Sequence, residues 1–325
     1  MTSFLSRRHL VGAGTAALAL GPSLARAATG THLAPPPIGT PVLPNAVEHI
    51  QGGADAQDRL TVETWLNEKG PYNFVVDTGA DRSVLAEDVA DAIGLPNTED
   101  VIVQGIARAL PARAVQVADL RVGRVRLSDM PMPLLPRSWL GADGYLGLDV
   151  IDRQSVTFDF QNHRLDITPS DLTTRWMPMA DQALVRVNGS NGRLTAVNCS
   201  VNGVKAFAFI DSGAQISIGN TQLFNELARV GGRYISDDII QLLGVTGGQA
   251  QGRVTAVERI KMGSISFQNS ALVISDLPVF DIWGLDGKPA LFIGMNFLRQ
   301  TSSVTIDYGR KEFRFKLAQL RVARA

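Results

Sequence analysis

The chain has 325 residues with 31 basic and 31 acidic side chains, so its formal net charge is zero, and 45% of its residues are hydrophobic. This apolar content excludes a wholly disordered chain, and the neutral charge argues against a nucleic-acid-binding protein, which needs a concentrated positive face. The single cysteine, Cys199, excludes an internal disulfide, and the four histidines argue against a histidine-built metal site. The length predicts about two domains of roughly 150 residues each.

The first 27 residues have the three parts of an export signal. Arg7 and Arg8 form a charged start, residues 12–20 are apolar, and the segment 25–27 reads Ala-Arg-Ala, a small-residue cleavage site. The apolar run is too short to span a membrane. The paired arginines are typical of a twin-arginine signal, with a general secretory signal as the alternative. Either signal predicts a periplasmic or secreted protein with no membrane anchor after cleavage.

Residues 28–58 form a proline-rich lead-in. Five prolines lie between residues 28 and 45, and proline favours extended, unpaired backbone. We interpret this segment as a linker between the cleavage site and the folded body. An inhibitory propeptide is the other interpretation that the sequence leaves open.

The body that begins at residue 59 contains one unit twice. The segment 74–80, Phe-Val-Val-Asp-Thr-Gly-Ala, recurs 134 positions later as Ala-Phe-Ile-Asp-Ser-Gly-Ala at 208–214. Further on, Val-Thr-Phe-Asp-Phe at 156–160 recurs as Val-Thr-Ile-Asp-Tyr at 304–308. A period this long indicates duplicated domains and not a solenoid. The sequence therefore predicts an N-terminal half at 59–168, a linker at 169–183 and a C-terminal half at 184–325.

Each half is predicted to be mostly β. Short apolar or alternating runs are separated by Gly, Asn and Asp turns, a pattern typical of a β sandwich or barrel. Strand pairs are predicted around Gly123 and around Gly263. Helices are predicted only over residues 86–93 and 221–230, and as single turns near residues 149–153 and 296–300.

Two Asp-Thr/Ser-Gly turns carry the most plausible reactive groups. Asp77 and Asp211 each follow an apolar strand at the same place in the repeat, so a pseudo-twofold axis between the halves would bring them face to face. One such turn alone is usually a structural connection. Two carboxyl groups about 3 Å apart share one proton, because both cannot ionise comfortably. One carboxyl then acts as a base and the other as an acid, which suits the attack of water on an amide carbonyl.

These motifs resemble those of the aspartic proteases, most closely the retroviral type. Asp77-Thr78-Gly79-Ala80 and Asp211-Ser212-Gly213-Ala214 are similar to the active-site triplets of that family and the alanine that follows them. Tyr145-Leu146-Gly147 and Phe292-Ile293-Gly294 resemble its second signature, whose glycines, Gly147 and Gly294, would pack beside the catalytic loops. The resemblance implies a bilobal acid-protease fold in which one chain fuses two retropepsin-like β-barrel units. It also implies catalytic Asp77 and Asp211, with no cofactor and no metal.

The resemblance implies supporting roles for further residues. Thr78, Gly79, Ser212 and Gly213 would form and brace the two catalytic loops. The flap that closes over substrate has two candidates, one with Gln104 and Gly105 and the other with Gly244, Thr246, Gly247 and Gly248. The second contains more glycine and is expected to be the more mobile. Neither has the pepsin-type flap tyrosine, so the sequence does not decide which of the two is the working flap.

Three further expectations concern single residues. Alanine at positions 80 and 214 offers no hydroxyl to the carboxyl groups, so we expect activity nearer to neutral pH than that of pepsin. Trp139 and Trp283 are interpreted as core residues, with a place in a substrate pocket as the alternative. Cys199 lies in an alternating strand and is interpreted as a small buried hydrophobic residue.

The sequence thus predicts an exported aspartic endopeptidase that acts as a monomer on peptide or protein substrates and binds no nucleic acid. The alternative from another class is a periplasmic peptide-binding or scaffold protein that keeps the fold without turnover. A third possibility is a homodimer in which another chain completes the site. The presence of both Asp turns favours the enzyme.

Overall fold

The computed structural model describes residues 48–54, 59–123, 125–152, 154–173, 176–190, 193–231 and 238–318. The predicted export signal and the proline-rich start of the lead-in lie outside these ranges. Within them, no helix combines the length and the apolar character that crossing a membrane requires.

The described residues of the N-terminal half form ten strands and three short helices. The strands are β1 Glu48–Ala54, β2 Leu60–Leu66, β3 Lys69–Val76, β4 Val84–Ala86, β5 Asn97–Gln104, β6 Ala109–Val122, β7 Val125–Leu135, β8 Gly144–Leu146, β9 Gln154–Asp159 and β10 Arg164–Pro169. The helices are α1 Glu87–Ile93, α2 Arg137–Leu140 and α3 Leu148–Ile151.

The C-terminal half repeats this order, and the part of it that the structure describes has eleven strands and three helices. The strands are β11 Gln182–Arg186, β12 Asn188–Ser190, β13 Arg193–Val201, β14 Val204–Ile210, β15 Ile218–Gly219, β16 Ile239–Leu243, β17 Gln249–Met262, β18 Ile265–Ile274, β19 Ala290–Ile293, β20 Thr301–Asp307 and β21 Glu312–Leu317. The helices are α4 Thr221–Arg229, α5 Pro278–Ile282 and α6 Met295–Leu298.

Each half closes six of its strands into a β barrel. In the first barrel the order is β2-β3-β8-β4-β7-β6, and β2 also pairs with β6. In the second barrel the order is β13-β14-β19-β15-β18-β17, and β13 also pairs with β17. The two circuits use equivalent strands in the same order. The prediction of a mostly β protein with two related retropepsin-like barrels is confirmed.

A sheet shared by both halves connects the barrels. Its strand order is β11-β21-β20-β9-β10-β1, so three strands come from each half. The halves meet where β9 pairs with β20, and there the hydroxyl groups of Thr157 and Thr305 lie 2.7 Å apart. Thr157 and Thr305 are equivalent residues of the two repeats, so the pseudo-twofold axis passes beside this contact.

The strands that lead to the two Asp turns are buried because their sequences are apolar. Phe74, Val75 and Val76 at the end of β3 are all fully buried, and β3 runs parallel to β8. The equivalent β14 runs parallel to β19. Parallel pairing brings the end of each Asp-bearing strand beside the second signature of the same half. The N–H of Asp77 donates to the carbonyl of Leu146 at 2.9 Å as a result.

Several predicted boundaries differ from the structure. Strand β1 lies within the predicted lead-in, so the folded body begins before Arg59. The segment contains two adjacent glycines and has no clear alternation of apolar and polar residues. It forms a strand because it pairs with β10 and β2. Helices α1 and α4 fall within the predicted segments. Helices α2 and α5 are absent from the prediction because four or five residues are too few to display a helical period.

Two hairpins extend from the barrels. Strands β5 and β6 form the first, and its tip is residues 105–108; strands β16 and β17 form the second, and its tip is residues 244–248. These are the two segments that the sequence offers as flap candidates.

Candidate active site

Asp77 and Asp211 lie on equivalent loops that directly follow β3 and β14. Their carboxyl groups are within hydrogen-bonding distance of each other. Each carboxyl also accepts hydrogen bonds from the backbone of its own loop. The N–H of Gly79 donates to Asp77 Oδ1 at 2.8 Å, and the N–H of Gly213 donates to Asp211 Oδ1 at 3.0 Å. The structure therefore brings the two acids together within one chain.

Thr78 and Ser212 link the two loops through four reciprocal hydrogen bonds. The Thr78 hydroxyl donates to the carbonyl of Ile210 at 3.0 Å and accepts from the N–H of Ser212 at 3.0 Å. The Ser212 hydroxyl donates to the carbonyl of Val76 at 2.7 Å and accepts from the N–H of Thr78 at 3.1 Å. Both hydroxyl groups are buried, so each bond is protected from water. We call this set of bonds the cross-brace.

Glycine at positions 79 and 213 allows the two carboxyl groups to approach. A Cβ at position 79 would lie 2.8 Å from Cγ of Asp211, and a Cβ at position 213 would lie 2.6 Å from Oδ1 of Asp77. Side chains at these positions would therefore collide with the opposite acid.

Gly147 and Gly294 of the second signatures lie against the outer side of the same loops. A Cβ at position 147 would lie 2.8 Å from the carbonyl oxygen of Ala80, and one at position 294 would lie 2.8 Å from that of Ala214. The second signatures therefore pack against the two Asp-bearing loops and support them.

Burial raises the pKa of both carboxyl groups, and repulsion between them favours a state in which one of them is protonated. Burial raises the pKa of Asp211, and the charge of Asp77 raises it further, to about 8. Burial also raises the pKa of Asp77, but the hydrogen bond from Gly79 and the positive charge of Arg59 oppose that rise. Because the two groups are coupled, they titrate as a pair. The proton that the pair shares is lost only as the pH rises through about 8.

Arg59 is a buried cation whose charge acts on Asp77, and sequence analysis assigned no role to it. Its side chain is 7% exposed, and its guanidinium lies 5.1 Å from the centre of the Tyr145 ring. It donates hydrogen bonds to the Tyr145 hydroxyl and, at 2.7 Å, to the carbonyl of Leu140. A hint was available, since Arg59-Leu60-Thr61 recurs 134 positions later as Arg193-Leu194-Thr195.

Sequence analysis also missed two equivalent serines, Ser83 and Ser217, whose hydrogen bonds to a short helix anchor the chain after each Asp-bearing loop. Ser83 follows the first Asp-bearing loop, and both its N–H and its hydroxyl donate to Asp149 on α3, at 3.0 and 2.7 Å. The equivalent Ser217 donates in the same way to Oδ1 of Asn296 on α6, at 2.9 and 2.7 Å. Burial raises the pKa of Asp149. The anchor is therefore ionisable in the first half and neutral in the second.

The tips of the two hairpins are bound to each other. Arg108 Nε donates to the carbonyl of Thr246 at 2.9 Å, and the Thr246 hydroxyl donates to the carbonyl of Arg108 at 3.1 Å. Thr246 is fully buried by this contact. A Cβ at Gly105 would collide with the Thr246 side chain, so glycine is needed for the approach. Both flap candidates thus belong to one two-part lid.

The remaining flap residues have separate places. Gln104 ends β5, and the N–H of Gly244 donates to the carbonyl of Gly248 at 2.8 Å, which closes the second tip. Gly247 adopts a left-handed conformation with φ of 67° and lies against Trp139, where an added Cβ would be 2.7 Å from the indole.

The two tryptophans have different environments. Trp139 is 37% exposed, and the Arg108 guanidinium lies 5.7 Å from the centre of its ring, so its interpretation as a core residue is wrong. The cause is the flap tip, which provides Trp139 with a polar neighbour that sequence alone does not reveal. Trp283 packs against Phe209 and Phe292 at 4.9 and 5.1 Å between ring centres.

Cys199 is 2% exposed, and burial raises the pKa of its thiol to about 12. Its interpretation as a buried hydrophobic residue is confirmed. Across the described ranges, no group of three or more His, Cys, Asp or Glu side chains is arranged to hold a metal ion.

The comparison with family models gives one match, and it covers both halves. The family described as aspartyl protease matches residues 62–150 and 197–297. Each matched segment contains one Asp-Thr/Ser-Gly turn and one second signature. No curated protein matches the chain.

Proposed function

The chain belongs to the aspartyl protease family, and from this premise we propose that it is an endopeptidase whose Asp77 and Asp211 together activate water to hydrolyse peptide bonds. The observation that carries the proposal is the pair of hydrogen-bonded carboxyl groups on loops joined by the cross-brace. A reactive pair needs both a shared proton and a fixed geometry. The cross-brace supplies the second of these.

We assign the ionised form to Asp77 and the proton to Asp211. The Arg59 charge opposes the rise in the pKa of Asp77, and the charge of Asp77 raises the pKa of Asp211. Asp77 is then the base that takes a proton from water as the water oxygen attacks the scissile carbonyl carbon. Asp211 gives its proton to the carbonyl oxygen, which yields a neutral tetrahedral diol.

Collapse of the diol completes the reaction. Asp77 gives the proton that it took from water to the amide nitrogen, the carbon–nitrogen bond breaks, and Asp211 regains its proton from one hydroxyl group of the diol. The products are a carboxylic acid and an amine, and both acids return to their starting state. No covalent intermediate is required.

The substrate would lie as an extended segment beneath the lid. An extended peptide can add to hairpin strands through its backbone, with its side chains alternating between pockets. Ile106 at the first tip packs against the apolar cluster that includes Phe209, two residues before Asp211. This contact supports a position for the lid close to the dyad. The export signal supports a periplasmic or extracellular site of action.

The deciding experiment incubates the purified full chain with an unbiased peptide library and identifies the products by mass spectrometry. Wild type is compared with Asp77→Asn and Asp211→Asn, with Asp286→Asn, an exposed acid, as the matched control. We expect wild type and Asp286→Asn to cut the same bonds, and each dyad variant to lose at least about a thousandfold in rate.

The same experiment separates the enzyme from its alternative. If wild type and both dyad variants leave the library equally intact while binding peptides, the protein is a peptide-binding member of the family and the proposed activity is wrong.

A further inference from the structure

Arg108 joins the two tips of the lid through both its side chain and its backbone. Its Nε donates to the carbonyl of Thr246 at 2.9 Å, and its own carbonyl accepts from the Thr246 hydroxyl at 3.1 Å. The same carbonyl accepts from the N–H of Gly105 at 2.9 Å, and this bond closes the first tip. One residue therefore closes its own tip and also holds the opposite tip.

Trp139 is in contact with both tips. The Arg108 guanidinium of the first tip lies 5.7 Å from the centre of its ring, a distance at which a cation is attracted to an aromatic face. Gly247 of the second tip lies so close to Trp139 that an added Cβ would be 2.7 Å from the indole. Trp139 belongs to α2 of the first half, so both tips are seated on the same half of the molecule.

The two tips are not equivalent at this contact. Arg108 directly precedes β6, and Gly248 directly precedes β17; each supplies the carbonyl that closes its own tip. The side chain of Arg108 lies against Gly248, where an added Cβ would be 2.9 Å from its Cγ. Arginine on one tip therefore fits because the other tip has glycine. A dimer of identical chains would have the same residue at both positions, so this packing requires a fused chain.

The second half makes a different kind of contact with the lid. Its equivalent tryptophan, Trp283, packs against the rings of Phe209 and Phe292. Ile106 of the first tip packs against the apolar cluster that contains these two rings. Apolar packing is non-directional, whereas the hydrogen bonds of Arg108 require one relative position of the two tips.

Resting on the proposed function, we propose that Arg108 is a positioning residue that locks the two tips together and seats them on Trp139, so that the lid stays closed over a bound peptide. Contacts between the lid and a peptide form only while the lid is closed. The apparent affinity for the peptide is therefore reduced in proportion to the closed fraction. Arg108 acts through the lid and not on the reacting atoms, so loss of the lock should raise KM more than it lowers kcat.

The test measures kcat and KM for a cleaved peptide with wild type and two lock variants. Arg108→Gln removes the guanidinium, and Gly248→Ala keeps Arg108 but places a Cβ where its side chain lies. The matched control is Arg121→Gln, which removes a guanidinium that lies 4.7 Å from the centre of the Trp65 ring, away from the lid. We expect KM to rise about tenfold in both lock variants with kcat within about twofold of wild type, and neither value to change in the control.

Hydrogen exchange in the Asp211→Asn variant keeps this inference separate from the proposed activity. The N–H groups of Gly244 and Gly247 form hydrogen bonds within the second tip, so their exchange reports the order of that tip. Adding Arg108→Gln should speed their exchange by about tenfold, although the substitution lies in the first tip, with no change in the barrel strands. Adding Arg121→Gln should leave it unchanged.

The outcomes distinguish the lock from the activity. Faster exchange at the second tip in Asp211→Asn/Arg108→Gln, without cleavage by wild type, would overturn the activity and support the lock. Unchanged exchange at the second tip, or cleavage by Arg108→Gln with the KM of wild type, would overturn the lock and leave the activity intact.

Discussion

The two halves of the molecule agree at the dyad and differ around it. Backbone hydrogen bonds, the cross-brace and the glycines are the same on both sides. The surroundings are not: the first half has Arg59 on Tyr145, and the second has Trp283 on Phe292. A dimer of identical chains must present equal surroundings to both sides of a substrate. A fused chain is free of this constraint. In this protein the two halves differ in the residues that surround the dyad and in the side chains, Asp149 and Asn296, that anchor the two loops.

The largest effects are expected where the halves are equivalent. Thr78→Val and Ser212→Ala each remove two buried hydrogen bonds of the cross-brace, so each should lower the free energy of unfolding by about 2–4 kcal/mol. Urea denaturation measures this loss. The conservative exchanges Thr78→Ser and Ser212→Thr keep a hydroxyl and serve as controls. A large difference between the two main variants would contradict the equivalence.

The lid gives the next largest effect. In a Gly105→Cys/Thr246→Cys variant the two Cβ atoms are close enough for a disulfide after a small shift, since a Cβ at position 105 would lie 3.0 Å from that of Thr246. Oxidation should hold the tips together and reduce cleavage of a folded protein substrate by about a hundredfold, because the substrate must pass between them. A reductant should restore the rate.

The controls for the lid are the two single-cysteine variants. The native Cys199 is buried, so it does not interfere with the new pair. Unchanged cleavage in a demonstrably cross-linked protein would show that the tips need not separate.

The proton of the dyad should set the alkaline limit of activity. The pKa of Asp211 is raised to about 8, so the proton needed for catalysis is lost as the pH rises through that value. A pH–rate profile should therefore fall about tenfold per unit above pH 8 and remain active at neutrality. On the acid side, the rate should fall as Asp77 takes up a proton, at a pH above the ordinary value of its pKa. An optimum confined to below about pH 3 would contradict both assignments.

The smallest effect sharpens the difference between the anchors. Asp149→Asn should keep the bonds to Ser83, because Asn296 makes the same bonds to Ser217. Burial raises the pKa of Asp149, so its ionisation costs stability as the pH rises through that pKa. The variant should have the same free energy of unfolding as wild type at pH 4 and a larger one at pH 7. The gain should be under about 1 kcal/mol because the side chain is partly exposed. Thermal unfolding at pH 4 and pH 7 measures the difference, and lower stability at pH 7 would contradict it.

Sequence reasoning succeeds here where duplication makes a pattern visible. The two Asp turns and the second signatures appear twice at matching places, so the barrels and the approach of Asp77 to Asp211 are predictable from pairing alone. Asp149 and Asn296 accept equivalent hydrogen bonds but are different residue types, so a search for identical segments does not find them. Arg108 is also missed, because its role depends on a contact with Thr246, which is far away in the chain.

The shared sheet has a consequence for the continuity of the chain. The first half ends with β10 at Pro169, the second begins with β11 at Gln182, and the halves are joined across β9 and β20 as well as by the connecting peptide. A gene split at this connection should yield two fragments that reassemble by strand pairing into a working heterodimer. Such a split protein would have an assembly interface like that of a dimeric enzyme while keeping two unlike subunits, each open to redesign without altering the other.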